Sequence, residues 1–277
     1  MKALVYNGPK LLSYCDVNEP RSGQDNVLIK IEAVGICGSD MHAYLGHDER
    51  RPAPLILGHE AAGIICGGAR DGERVTINPL VSCGNCSACT TGRENICPDR
   101  QIISMPPREG AFAQYVTMPE RNLVNVPTEY SLDKAALVEP LAVGWHTAKL
   151  ATKAIDANME KKALVIGGGA IGLATALALK AMGITELTIS EFNPLRRKYL
   201  LEHIDAKIVE KTENSFPIVI DAVGFASTRA VASQLVSPGG IIAHVGLGDN
   251  ADGLDIRRIT LQEITFIGTY TYTAQDF

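Results

Sequence analysis

Four cysteines fall within fifteen residues, Cys83, Cys86, Cys89 and Cys97, at spacings of three, three and eight. Four thiolates on one short loop have the spacing of ligands to a single metal ion, and tetrahedral Zn²⁺ held by four sulfurs at about 2.3 Å suits them best. Gly84, Asn85 and Ser87 between the ligands let the backbone turn tightly around the ion. Such a site has no open position, so it predicts a structural zinc rather than a reactive one. A second set of chemically able residues is scattered over three segments: Cys37-Gly38-Ser39-Asp40-Met41-His42, Gly58-His59-Glu60 and Val138-Glu139-Pro140-Leu141. Taken singly, Cys37 reads equally well as a small core residue, and His59 as a buried histidine with an ordinary hydrogen bond.

The third set is a glycine loop. Ala163-Leu164-Val165-Ile166 reads as a strand, Gly167-Gly168-Gly169-Ala170-Ile171-Gly172 follows at once, and residues 173–182 read as a helix. In that context the loop predicts a dinucleotide site. Gly167 permits the tight turn, Gly169 lets the backbone approach a pyrophosphate, and Gly172 allows close helix–strand packing. The N-terminal turn through Ala170 and Ile171 faces the negative charge. Glu191 lies 19 positions beyond Gly172, at the end of the next apolar strand. There it is placed to accept hydrogen bonds from ribose hydroxyls and to repel a 2′-phosphate, which favours NAD over NADP. Arg196 and Arg197 follow, and they fit a solvated helix face, or tolerance of NADP if either swings toward the ribose.

These residues need a scaffold, and the 277-residue chain supplies two kinds. At roughly 150 residues per domain the length suits one large or two ordinary domains, and 46% hydrophobic residues suffice for a core. Short β segments at 3–6, 26–31, 61–65, 74–77 and 114–116 make the first half an irregular β domain. From residue 161 the pattern changes to βαβ units, with strands expected at 163–166, 186–189, 207–209, 218–221, 240–245 and 264–267. Six is the number in a doubly wound nucleotide-binding sheet. The fold class is therefore α/β, with domains at 1–150 and 151–277 and a bridging helix over 141–154.

Composition excludes several functions. With 26 Lys+Arg against 31 Asp+Glu, a net charge of −5 and no basic stripe, a nucleic-acid partner is not expected. The N-terminus lacks a signal-peptide core, and the apolar stretch at 163–182 is broken by Gly167, Gly168, Gly169 and Lys180, far from the ~20 apolar residues of a membrane span. A cytoplasmic protein without membrane contact is the expectation, with its seven cysteines as thiols or metal ligands.

Taken together, the four-Cys lobe, the scattered set and the glycine loop resemble the zinc-containing medium-chain alcohol and polyol dehydrogenases, over nearly the whole chain. That resemblance implies a GroES-like catalytic domain, a Rossmann domain, and two Zn²⁺ per chain. It implies Cys37 and His59 as catalytic zinc ligands, with Glu60 beside the metal and able to exchange onto it. Glu139 occupies the third ligand position, where the simple alcohol dehydrogenases carry Cys and the sorbitol-dehydrogenase-like branch carries Glu. Three protein ligands leave a fourth position for water or a substrate hydroxyl. Asp40 is placed to hold the ring N–H of His59, or to begin a helix together with Ser39. Ser39 and His42 resemble the family's proton relay, although His42 also reads as an exposed histidine on a first helical turn. Arg196 matches the family's arginine at the adenine side, and Val223 and the stretch Val245-Gly246-Leu247 correspond to cofactor-lining positions, or are simple strand ends.

The implied reaction is oxidation of a secondary hydroxyl of a polyol or sugar-acid-like substrate by NAD. A simple alcohol, a butanediol or threonine are alternative substrates, and a truncated dinucleotide-binding homologue with little activity is a rival of another class. The chain ends ten residues after Ile267, where family members continue, so reduced stability or a compensating homodimer or homotetramer interface is expected. Cys15, Cys66, His47, His146 and His203 are expected to be bland, Trp145 to pack in the core, and residues 45–52 to form a surface loop.

Overall fold

Alternating and β-branched apolar runs build the first part of the chain. The computed structural model describes residues 1–23 and 26–277, and its contacts divide them into two units. One comprises Met1–Glu139 with Thr273–Gln275 and Phe277, the other Pro140–Tyr272 with Asp276. The first unit holds β1 (Lys2–Gly8), β2 (Leu11–Asp16), β3 (Asn26–Gly35), α1 (Gly38–Tyr44), β4 (Leu55–Ile56), β5 (Glu60–Cys66), β6 (Arg74–Ile77) and β7 (Leu80–Val81). It continues with α2 (Ser87–Thr90), β8 (Gln101–Ile102), β9 (Tyr115–Pro119), β10 (Leu123–Asn125) and α3 (Leu132–Ala135). Five of these strands form an antiparallel sheet in the order β10-β6-β5-β3-β9, beside a three-stranded sheet β2-β1-β4 and the pair β7-β8. The core is closed by Ile29, Ile65, Val75, Ile77, Ile103 and Met118.

The expected strands at 3–6, 26–31, 61–65 and 74–77 fall within β1, β3, β5 and β6, while that at 114–116 lies a little later, as β9. Unforeseen strands are short or exposed. In β2, Leu11 and Tyr14 are largely open to solvent, so no buried alternation marks the strand. Residues 45–52 form a largely exposed loop, as expected, but Arg51 within it turns inward and is only 4% exposed.

From Pro140 on, α4 (Val138–Ala154) belongs to the second unit and is followed there by β11 (Lys162–Ile166), α5 (Ala170–Ala181), β12 (Glu186–Ser190), α6 (Pro194–His203), β13 (Lys207–Val209) and β14 (Phe216–Asp221). These are followed by α7 (Ala226–Leu235), β15 (Val236–His244), α8 (Ile256–Leu261) and β16 (Thr265–Gly268). The six strands are parallel, in the order β13-β12-β11-β14-β15-β16, the doubly wound Rossmann arrangement. Both faces are packed, one around Val165, Leu179, Ile189 and Ile220, the other around Leu164, Phe216, Val219 and Ile242. Double burial explains why these strands read as continuous apolar runs.

Register then fixes the working edge of the sheet: Ile166 pairs with Ser190 and Asp221, Asp221 with His244, and His244 with Gly268. The segments starting at Gly167, Glu191, Ala222 and Val245 therefore leave the sheet side by side. One expectation fails here: Trp145 on α4 is 40% exposed rather than core. His146 is buried, with its Nδ1 2.7 Å from Asp276 Oδ2. Among the described residues, no helix is long and apolar enough to cross a membrane.

Candidate metal and dinucleotide sites

The four-Cys loop closes on itself. Sulfur–sulfur distances are 3.5 Å for Cys86–Cys89, 3.9 Å for Cys83–Cys89 and 3.5 Å for Cys83–Cys97. A tetrahedron with 2.3 Å bonds has edges of about 3.8 Å, whereas a disulfide would bring two sulfurs to about 2.05 Å. The spacing fits one ion at the centre. Backbone amides of Asn85 and Cys86 pull the Cys83 thiol down to about 6. Against the Cys89 amide, which acts to lower it, desolvation and the neighbouring thiols push Cys86 up to about 11. A set of thiols that resist sharing negative charge is suited to a dication at their centre.

The second set is assembled by three elements. Cys37 caps the N-terminus of α1, and His59 and Glu60 lie where the chain enters β5. Ligand atoms of Cys37, His59 and Glu60 all lie within 4.8 Å of one another. Gly35, paired with Glu60 across the sheet, leaves room for that carboxylate, because a Cβ there would sit 2.1 Å from Glu60 Oε2. Asp40 ties the segments together: its carboxylate accepts from Cys37 N at 3.0 Å and Gly58 N at 3.1 Å, and Oδ1 lies 3.6 Å from His59 Nδ1. Cys37, rather than Ser39 or Asp40, is the helix cap, and Asp40 sits in the first turn.

Glu139 lies outside the tightest cluster, yet it is buried and close enough for its charge to act on His59. Burial pushes the His59 imidazole down, but Asp40, the Cys37 thiol and Glu139 together draw it well above its ordinary value. Burial also raises the Glu60 carboxyl. For Asp40, burial is outweighed by His59 and the two backbone amides, and the carboxyl is lowered. A half-buried thiol with a buried imidazole and carboxylate clustered together, and the buried Glu139 acting on the imidazole, match the mixed N/S/O donor set of a zinc with an open position.

Around this set lie residues that sequence reasoning passed over. Ser104 Oγ is 3.3 Å from His59 Nδ1. Arg51 donates from Nε to the Ser104 carbonyl oxygen at 3.1 Å, from Nη1 to Asp48, and from Nη2 to Ser39 Oγ at 3.4 Å. The one available signal was the i,i+3 pairing of Asp48 with Arg51. His42 is exposed near the end of α1, with the His47 ring 6.5 Å from its own. Cys15 and Cys66 stand apart from both clusters.

In the second unit, Gly167 adopts φ +95°, and its missing Cβ leaves space for Val223, whose side chain would otherwise be 2.5 Å away. A Cβ at Gly172 would lie 1.9 Å from Gly167 O, so the loop and helix approach too closely for any other residue. At Gly169 the nearest atom to such a Cβ is Arg196 Nη1 at 3.9 Å. Open space therefore faces the N-terminus of α5, where Ala170 and Ile171 begin the helix, a cradle suited to a pyrophosphate.

Glu191 accepts from Gly168 N at 2.8 Å and from Asn193 N at 2.7 Å, with Arg196 Nη1 3.8 Å from its Oε2. It thus braces the loop while keeping lone pairs for a further donor. Arg197 turns back onto the carbonyls of Glu191 and Phe192. Asp221, fully buried, accepts from the amides of Val223 and Gly224 at 3.0 and 2.9 Å and orders that loop, a role the sequence did not signal. Val245 follows on the neighbouring strand and donates to the Asp221 carbonyl at 3.0 Å.

Comparison with known proteins agrees with both halves. The alcohol dehydrogenase GroES-like domain matches residues 23–128, and the zinc-binding dehydrogenase domain matches residues 170–277. The chain is 34% identical to a sorbitol dehydrogenase of Bacillus subtilis, over 98% of this chain and 82% of that protein. It is 30% identical to L-galactonate-5-dehydrogenase of Escherichia coli, over 100% and 85%. Among solved structures, a short chain alcohol dehydrogenase from Escherichia coli CFT073 complexed with NADH superimposes with a TM-score of 0.89 at 26% identity, covering 100% of this chain and 85% of that one. A zinc-binding dehydrogenase from Sinorhizobium meliloti bound to NADP gives 0.88 at 27% identity, covering 98% and 84%. The chain belongs to the zinc-containing medium-chain alcohol and polyol dehydrogenase family. It is an oxidoreductase of CH–OH donors that uses zinc and a nicotinamide dinucleotide.

Proposed function

We propose that this protein oxidises a secondary hydroxyl of an open-chain polyol or sugar acid to a ketone, with NAD as acceptor. The observation that carries the reading is the cluster of half-buried Cys37 with buried His59 and Glu60, with Glu139 acting on His59, in a chain that also bears the glycine cradle. Cys37, His59 and Glu139 are the zinc ligands in this reading, and Glu60 is the neighbouring carboxylate. A zinc ion held by these residues would supply a Lewis acid for the substrate oxygen, and NAD in the glycine cradle would supply the hydride acceptor. Asp40 and Ser104 orient the His59 ring. Ser39 Oγ accepts the hydroxyl proton as its own proton leaves, and His42, exposed on α1, hands a proton to solvent. Cys83, Cys86, Cys89 and Cys97 hold a second, structural zinc.

Gly167, Gly169, Ala170, Ile171 and Gly172 receive the pyrophosphate, Glu191 and Arg196 the adenosine ribose, and Val223 and Val245 the rest of the cofactor. The Glu191 carboxylate beside the glycine loop supports NAD over NADP. The first unit is the catalytic domain and the second the dinucleotide domain, in a cytoplasmic homo-oligomer. Free thiols at all seven cysteines fit a reducing compartment. The test is NADH formation at 340 nm with sorbitol, L-galactonate, 2,3-butanediol, threonine and ethanol, with and without a chelator, and with NADP replacing NAD. Chelator-sensitive turnover of the first two is expected. Turnover of ethanol alone, or none with any alcohol, overturns the reading.

A further inference from the structure

Arg51 is 4% exposed and lies on a segment between the two ligand-bearing stretches. A buried guanidinium requires partners in several directions, and this one has them: the Ser104 carbonyl at Nε, Asp48 at Nη1 and Ser39 Oγ at Nη2. Asp48 supplies the counter-charge. It is itself held by Arg50, at 2.8 Å to Nε and 2.9 Å to Nη2, and despite the upward pull of burial these arginines lower its carboxyl to about 2. Asp48 therefore stays ionised, and Arg51 stays oriented, throughout the neutral range.

Two consequences follow from the donor-only chemistry of guanidinium. At the 3.4 Å contact, Ser39 Oγ must be the acceptor. One of its lone pairs then faces Arg51, leaving the other for an incoming hydroxyl proton and its own hydrogen free to leave in another direction. At Ser104, which is fully buried with a left-handed φ of +68°, the bond from Nε secures a backbone conformation that a serine rarely adopts. That residue's hydroxyl is the one 3.3 Å from His59 Nδ1. A single side chain thus touches the proposed proton acceptor and supports the partner of a proposed metal ligand.

We propose that Arg51 is a positioning residue, its planar fork orienting the Ser39 hydroxyl for proton transfer and fixing Ser104 against the ring of His59. The proposal rests on the reading of Ser39 and His59 given above. It requires the fork geometry and not only the charge, because the three acceptors are met by three different nitrogens of the guanidinium, whose positions a single ammonium nitrogen cannot occupy at once.

The experiment compares Arg51→Met, Arg51→Lys and Ser39→Ala in the full chain, with NAD and sorbitol or the polyol of highest turnover, kcat being normalised to bound zinc. Zinc release to a chelator and thermal unfolding are followed in parallel. For Arg51→Met, kcat is expected to fall about 10- to 100-fold, with KM for NAD within about twofold and zinc released several-fold faster. Arg51→Lys should not restore kcat. Adding Arg51→Met to Ser39→Ala should cost little more kcat, since both act on one hydroxyl. Wild-type kcat per zinc and wild-type zinc release in Arg51→Met, with only a lower melting temperature, would overturn the proposal and leave a plain structural ion pair. Unimpaired Ser39→Ala would instead overturn the relay reading beneath it. Should Arg51→Met fail to fold, Asp48→Asn releases the same guanidinium from the other side, and the same two readouts must move in the same direction.

Discussion

The two cysteine-bearing clusters of the first unit are built in opposite ways. Cys83, Cys86, Cys89 and Cys97 come from one loop, are chemically uniform, and space their sulfurs as the edges of a small tetrahedron. Cys37, His59 and Glu60, with Glu139 nearby, come from three distant segments and mix thiol, imidazole and carboxylate. The loop cluster needs only its own turns. The other needs the β3–β5 register, the missing side chain at Gly35 and the Asp40 clasp before its donors can face one another. A uniform, locally closed set suits permanent metal binding, while a mixed set held by its surroundings can leave a position open for substrate.

The strongest way to break that contrast is His59→Ala. Turnover should fall by about 10³-fold or more, equivalent to roughly 4 kcal/mol of lost transition-state stabilisation. Zinc should fall from two to one per chain by elemental analysis, and thermal stability should change little. Cys89→Ser should show the reverse profile. It too loses one zinc, but the melting temperature drops by about 5–10 °C while turnover per remaining zinc largely survives. If Cys89→Ser abolished turnover without a stability change, the division into structural and catalytic clusters would collapse.

A smaller effect is expected in the second unit. Glu191→Ala removes the brace on Gly168 and the acceptor for ribose, so KM for NAD should rise about tenfold and the preference over NADP should narrow, read from kcat/KM with each cofactor. The smallest effect is on acid stability. Arg50 and Arg51 depress the Asp48 carboxyl to about 2, below its unfolded value near 4. Its contribution is therefore complete above about pH 4 and is lost as pH falls through 2. Asp48→Asn should flatten the acid limb of a melting-temperature profile between those values while lowering stability at neutral pH. An unchanged acid limb would show that the pairing is not felt in folding.

Much of this is legible in the amino-acid sequence. The six strands of the second unit stand out because burial on both faces demands continuous apolar residues, and the glycine loop because its backbone tolerates no side chain at Gly172. In the first unit β2, β4, β7, β8 and β10 were missed, since strands of two or three residues, or with exposed apolar side chains, carry no periodicity. Asp48, Arg51 and Ser104 were missed for a related reason. Nothing in the polar, largely exposed segment 45–52 announces that Arg51 alone will turn inward, and it looks like any surface arginine until its acceptors are known.

The sequence by itself determined the locally encoded features: the four-cysteine loop, the glycine turn between β11 and α5, and the change from irregular β text to βαβ units. Each depends on residues near one another in the chain, where spacing dictates geometry. Only the tertiary structure decided that Cys37, His59 and Glu60 converge, that Glu191 braces Gly168, and that Arg51 reaches Ser39 and Ser104 together. Those contacts depend on sheet register and on buried polar groups finding partners, and both are properties of the folded chain as a whole.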